Sequence, residues 1–298
     1  MKNSAVVPAE LGARSHRISD LAELVKARLT VLVLFTTAAG FYLGAPNPIN
    51  YADLFHVVLG TAAAAAGAAA LNQWWERKAD ALMHRTSARP VPAGRMRPGN
   101  ALVLGSVLSI FGIAYLVVFC NALSAALAAI TIALYIFAYT PLKRISTGNT
   151  ALGAVPGALP PVIGWAAARG TIDVGAISLF VILFLWQLPH FFAIAWICRD
   201  DYARAGFRMI SAEDESGART ASQSVFFCIL LLVLAGSPAF VQVTTATYLP
   251  IELALSGTYL AAAMRFLRTQ RVADARLLFI GSIIYLPLLL ATLVLTKA

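Results

Sequence analysis

Ala101–Leu142 reads ALVLGSVLSIFGIAYLVVFCNALSAALAAITIALYIFAYTPL and contains no Asp, Glu, Lys or Arg. A helix crosses a bilayer in about 20 apolar residues. This run therefore holds two spans in succession, with a tight turn near Asn121. Carried outward, the same reading gives spans at Leu29–Gly44, Leu54–Leu71, Ala101–Cys120, Ala122–Tyr139, Ala151–Ala168, Val174–Ile197, Val225–Val243, Leu249–Met264 and Leu277–Thr296. The chain of 298 residues is 59% hydrophobic and only 12% charged, with a mean hydropathy of +0.76. A soluble domain carries about 25% charged residues. Transmembrane β-strands would be short and alternating, so long continuous runs satisfy their backbones in lipid only as helices.

The basic residues set the orientation. They fall in the N-terminal segment (Lys2, Arg14, Arg17, Lys26, Arg28) and after the second span (Arg77, Lys78, Arg85, Arg89, Arg95, Arg97). Others follow the fourth span (Lys143, Arg144), the sixth (Arg199, Arg204, Arg208, Arg219) and the eighth (Arg265, Arg268, Arg271, Arg276). Only Arg169 and Lys297 of the 23 fall on the other side. Because basic loops stay inside, a cytoplasmic N-terminus and an external C-terminus are expected, in the cytoplasmic (inner) membrane of a bacterium. The net charge of +9 is then explained by insertion and anionic head groups rather than by nucleic acid. The first 28 residues are too long and polar for the start of a signal peptide. Ile18–Arg28 reads as a short interfacial helix with Asp20 as its N-cap. The division expected is a cytoplasmic segment, 1–28, and one transmembrane domain, 29–298. Cys120, Cys198 and Cys228 lack metal-ligand spacing and read as packing residues.

Chemistry gathers where the second span ends, at Asn72-x-x-x-Glu76-x-x-x-Asp80. Spacings of four keep side chains on one helical face, about 6 Å apart at Cβ. Two carboxylates and an amide oxygen suit Mg²⁺, which completes its shell with phosphate oxygens and water. Arg85, Arg89 and Arg95 follow directly, and guanidinium forks match phosphate. The loop after the sixth span, Cys198–Ala221, lies on the same side by parity and offers Asp201 as a second metal carboxylate. Lys143 and Arg144, ending the fourth span in Tyr139-Thr140-Pro141-Leu142-Lys143-Arg144, either bind diphosphate or anchor the helix end. His190 lies inside the sixth span, three turns before Asp201 and about 16 Å deeper if Pro189 leaves the helix unbroken. An imidazole at that depth ligates metal, moves a proton or bonds a neighbouring helix.

These features describe an all-α membrane protein with about nine transmembrane helices bundled around a cavity that opens to the cytoplasmic face. Acids there hold Mg²⁺ and cations hold phosphate. Such a site suits ionisation of an allylic diphosphate, with lipid accommodating an isoprenoid tail and water kept from the cation.

At these motifs the chain resembles the UbiA-type intramembrane prenyltransferases, and within them the branch that makes haem O. Ala70-Leu71-Asn72-Gln73, Glu76, Asp80, Met83, Arg85-Thr86 and Arg89-Pro90 carry the likeness to the superfamily. Tyr139–Arg144 with Asn149, Gly153, Gly157, Pro160-Pro161 and Gly164-Trp165 points to the haem branch. So do Leu188-Pro189-His190-Phe191-Phe192, Asp201-Tyr202 and Ala205-Gly206. The chain departs from the pattern at Lys78, where relatives carry an acid, and in its adjacent Asp200-Asp201. Arg208 and Ala27 stand where the pattern has proline.

The resemblance implies transfer of a farnesyl group from farnesyl diphosphate to a vinyl group of haem b, with water added, giving haem O and diphosphate. It implies Mg²⁺ held by Asn72, Glu76, Asp80 and Asp201, and phosphate oxygens held by Arg85, Arg89, Lys143, Arg144, Lys26 and Arg28. His190 is the residue expected at the haem, and a haem A synthase is the expected recipient of the product. Prenylation of an aromatic quinone precursor is the nearest alternative. A secondary transporter of an anion is the rival of another class, disfavoured because transporters place polar residues near the midplane.

Overall fold

Eight helices are long and apolar enough to cross a membrane in the computed structural model, which describes residues 9–298, with side-chain surroundings from residue 17 onward. Lys2, counted above with the cytoplasmic segment, lies outside the described residues. In chain order the helices are α1 (Ala9–Leu24), α2 (Ala27–Gly44), α3 (Tyr51–Asp80), α4 (Pro98–Phe119), α5 (Ala122–Leu142) and α6 (Asn149–Arg169). They continue as α7 (Val174–Ile197), α8 (Arg199–Arg204), α9 (Ala218–Phe240), α10 (Tyr248–Thr269) and α11 (Val272–Leu295). The helices that meet that length and composition are α2 to α7, α9 and α11. The chain is an integral, multi-pass all-α membrane protein.

Nine spans were expected, and the difference lies at α10. The stretch Leu249–Met264 is helical, but its helix carries Glu252, Arg265 and Arg268, too polar to rank with the other eight. Glu252 is buried, and Ser256 Oγ donates to its carboxylate at 2.7 Å. The tight turn at Asn121 is present: Asn121 Oδ1 accepts from Ser124 N–H at 2.8 Å and caps α5. The interfacial helix differs from expectation. It runs Ala9–Leu24, so Asp20 lies inside it and pairs with Arg95 rather than capping it. Gln73 Nε2 donates to Glu23 O and Leu24 O, and Lys26 turns the chain at φ 49° into α2.

The helices form a closed succession. α4 packs on α3, α3 on α2, α2 on α6, α6 on α7, and α7 on α9 and α11. α10 lies between α9 and α11, and α11 returns to α2. Lipid offers no hydrophobic drive for this association, so close backbone approach supplies it. On the α3–α4 seam, a Cβ at Gly112 would stand 2.5 Å from Ala64 N. Gly60 and Ala64 of α3 are the small residues that meet it there.

Both polar loops meet at one end of the bundle. His84 N–H donates to Asp201 Oδ1 at 3.2 Å, and Arg208 N–H donates to Lys143 O at 2.6 Å. A proline at 208 could not make the second bond. Asn149 Nδ2 fastens the same loop through Arg208 O at 2.7 Å.

Candidate active site

The last turns of α3 present Asn72, Glu76 and Asp80 on one buried face, as their spacing of four requires. Lys78 is exposed and lies off that stripe, so the missing acid changes a different face of α3. Opposite stands the end of α5, whose backbone widens to a π-helix over Leu134–Tyr139. Pro141 has no N–H and its ring crowds the preceding turn, which a π-helical turn relieves. Thr140 N–H and Thr140 Oγ1 both reach Tyr135 O, the hydroxyl at 2.8 Å.

Each polar group of the stripe has a partner in this state. Lys26 Nζ donates to Asn72 Oδ1 at 2.7 Å and to Tyr135 Oη at 3.2 Å. Asn72 Nδ2 donates to Thr140 Oγ1 at 3.3 Å. Lys143 Nζ donates to Glu76 Oε1 at 2.7 Å, and its ammonium stands 4.4 Å from the Tyr139 ring centroid. Arg89 Nη1 donates to Asp80 Oδ2 at 2.8 Å. Three cations thus meet an amide and two carboxylates within two turns of helix.

Electrostatics separates the two lysines. Burial, and then the neighbouring Arg89 guanidinium, lowers Lys26 to about 7. Burial also pulls Lys143 down, but the oxygens of Tyr139 and Glu76 outweigh it and leave this lysine above its ordinary value.

The remaining expected residues take other places. Asp201 accepts at Oδ1 from His84 N–H, at Oδ2 from Arg85 N–H at 3.5 Å, and from Arg204. Its carboxylate holds the α3–α4 loop. Burial opposes its ionisation, but the two backbone N–H groups and Arg204 prevail and keep it below the ordinary range. Arg85 lays its guanidinium over Tyr202, 4.6 Å from the ring centroid, and Arg144 lies 6.0 Å from the Phe207 centroid. Both are exposed, as is Arg28.

His190 was placed on one continuous helix with Asp201. Pro189 leaves α7 continuous, but the helix ends at Ile197, and Cys198 (φ −107°, ψ 21°) turns the chain before α8. The imidazole faces α11: Nδ1 bonds Ser282 Oγ at 2.6 Å, and its ring lies 5.4 Å from Trp186 and 4.9 Å from Phe279. Ser282 Oγ spends its only proton on Phe279 O, at 2.5 Å. Toward His190 it can only accept. With the Ser282 proton on Phe279 O, His190 Nδ1 is the donor of this bond and Nε2 keeps its lone pair.

Sequence reasoning overlooked Tyr135. It stands four residues before Tyr139 and eight before Lys143, a spacing that marks the face pointing at α3. Among the described residues no group of three His, Cys, Asp or Glu side chains gathers to hold a metal. Two carboxylates and an amide beside cations suit a metal that arrives with phosphate oxygens, which is how Mg²⁺ is commonly held.

The model of the UbiA prenyltransferase family matches residues 33–288. The chain belongs to the UbiA prenyltransferase family. Among UbiA relatives, it is 42% identical over 287 residues to the protoheme IX farnesyltransferase of Solibacter usitatus (strain Ellin6076), covering 93% of this chain and 98% of that one. The mitochondrial protoheme IX farnesyltransferase of Arabidopsis thaliana is 38% identical over 296 residues, covering 99% of this chain and 68% of the relative. The UbiA fold is shared with a digeranylgeranylglyceryl phosphate synthase structure at a TM-score of 0.78 and 14% identity, covering 94% and 98% of the two chains. A UbiA homolog from Archaeoglobus fulgidus bound to GPP and Mg²⁺ superposes at 0.65, with 14% identity and coverage of 92% and 99%.

Proposed function

We propose that this chain transfers a farnesyl group from farnesyl diphosphate to a vinyl group of haem b, with addition of water, releasing diphosphate and haem O. The near full-length identity to protoheme IX farnesyltransferases supports the substrates. The observation that carries the chemistry is the pairing of Lys26, Lys143 and Arg89 with Asn72, Glu76 and Asp80. These are the groups a metal–diphosphate would separate: acids and amide toward Mg²⁺, cations toward phosphate oxygens. Mg²⁺ supplies Lewis acidity to the departing diphosphate. Lys143 and Arg89 hold the charge that develops as the allylic C–O bond breaks. Arg85, Arg144, Lys26 and Arg28 are proposed as further phosphate contacts. Asp201 is proposed to act through the loop it holds. The vinyl π-bond attacks the allylic cation, forming a C–C bond. Water captures the new cation and loses a proton. Incubation of membranes with haem b, farnesyl diphosphate and Mg²⁺, followed by mass measurement of the porphyrin, tests this. Haem b recovered unchanged would refute it.

His190 is proposed as the haem contact, through Nε2. A metal-bound histidine commonly gives its other N–H to a second residue, whose loss costs about 10–100-fold in metal affinity. Ser282 fills that position. Ser282→Ala should weaken haem binding about tenfold, and His190→Ala should remove the iron-ligand signature from the haem spectrum, both with Mg²⁺-dependent diphosphate binding intact. Unchanged haem titrations in folded variants would reduce the pair to a helix–helix hydrogen bond.

For topology, the proposal is a bacterial cytoplasmic membrane with residues 1–28 inside, one transmembrane domain from 29 to 298, α10 as a ninth crossing and Ala298 outside. Reporter fusions should place residues 72–99 and 198–221 in the cytoplasm and the C-terminus across the membrane. A cytoplasmic C-terminus would make α10 a non-crossing helix. A haem A synthase is the proposed recipient of the product.

A further inference from the structure

Arg169 and Lys297, the two basic residues set apart from the acidic face by their sequence positions, line one cavity of about 340 Å³. It lies at the far end of the bundle. Arg169 Nε donates to Gly44 O at 2.7 Å, and Lys297 Nζ donates to Tyr42 O and Ala45 O at 2.8 and 2.7 Å. Between that end of α2 and Glu76 lies most of α3, about 38 Å of helix at 1.5 Å per residue. Neither a haem nor a farnesyl chain reaches from one site to the other.

The cavity holds more N–H donors than the carbonyls and the one carboxylate beside them engage. Lys297 has three N–H groups and uses two on carbonyls. Arg169 has five, and beyond Gly44 O it meets Asp173 Oδ2 at 3.5 Å and lies 4.9 Å from the Trp165 ring centroid. Asp173 is already committed, since its Oδ1 caps α7 at Gly175 N and Ala176 N. The indole of Trp165 lines the same cavity and is buried to 2% exposure, yet its Nε1–H has no acceptor. Gly44 and Gly175 flank that ring, where an added Cβ would stand 3.0 and 2.4 Å from it. A buried donor without an acceptor costs about 1–3 kcal/mol. Burial, and then the nearby Arg169 charge, lowers Lys297 from its ordinary value.

We propose that this cavity binds a phosphate anion, on a phospholipid head group or free in solution, with Arg169, Lys297 and Trp165 Nε1–H as its donors. Guanidinium and ammonium groups are the usual phosphate holders. An indole N–H supplies a third direction of approach.

The test uses the full chain purified in an uncharged maltoside detergent, with melting temperature followed against short-chain phosphatidylglycerol, inorganic phosphate, or sodium chloride at matched ionic strength. A saturable rise with phosphatidylglycerol or phosphate, absent with chloride, is expected. A rise with the lipid alone assigns the head group, and a rise with phosphate alone assigns the free ion. Trp165→Phe keeps the ring and both cations, and should weaken the apparent affinity about tenfold. Arg169→Gln/Lys297→Gln should abolish the saturable rise. The readout is the ligand-dependent increment, so a lower starting temperature in the double variant does not confuse it. No saturable rise in the wild type, or an equal one in Trp165→Phe, overturns the proposal.

Discussion

Asp80→Ala is expected to reduce kcat/KM on the order of 10³-fold, the scale seen when a group that stabilises departing charge is removed, while the protein still inserts and folds. Asn72→Ala should follow it. Asp80 is 1% exposed and faces Arg89, and Asn72 is fully buried against Lys26 and Thr140. Removal of Asp80 takes away a proposed metal carboxylate and frees Arg89, so diphosphate binding should survive better than turnover. The measurement is kcat/KM in membranes of matched protein content, beside binding of a non-hydrolysable farnesyl diphosphate analogue as Mg²⁺ is varied. In the wild type, analogue affinity should rise with Mg²⁺. In Asp80→Ala that dependence should flatten. Substantial turnover by Asp80→Ala at low Mg²⁺ would remove this carboxylate from the metal site.

The fold was legible in the sequence wherever hydropathy alone decides it. The uncharged run Ala101–Leu142 became α4 and α5, and Asn121 became the cap between them. At α10 hydropathy alone does not decide, because the helix buries Glu252 against Ser256 and carries Arg265 and Arg268 near its end. In the site, the four-residue spacing of Asn72, Glu76 and Asp80 is a property of any α-helix and could be read directly. The opposing face could be read only in part. Tyr135 and Thr140 are set by a π-helical turn that Pro141 imposes, and a regular period does not contain it. Asp201 was read as a second metal carboxylate, and besides the nearby Arg204 it accepts from backbone N–H groups of residues 84 and 85, far away in sequence. Long-range pairing of this kind leaves no local periodicity to detect.

The pair Glu76–Lys143 gives the largest expected change in stability. Both side chains are buried and their charges meet at 2.7 Å. Removing one member of a buried pair leaves an uncompensated charge and costs about 3–5 kcal/mol. Lys143→Met should therefore be strongly destabilised and inactive. Glu76→Gln/Lys143→Met removes both charges and should recover most of the lost stability, but no turnover, since the proposed metal carboxylate and the proposed phosphate cation are gone together. Mg²⁺ separates this account from simple packing loss. If Glu76 is a metal ligand, the ion can replace the missing ammonium as counter-charge, so added Mg²⁺ should raise the melting temperature of Lys143→Met more than that of the wild type. It should do little for the double variant, which has lost that carboxylate. Equal Mg²⁺ responses in all three proteins would leave Glu76 as the structural partner of Lys143 and take it out of the proposed metal site.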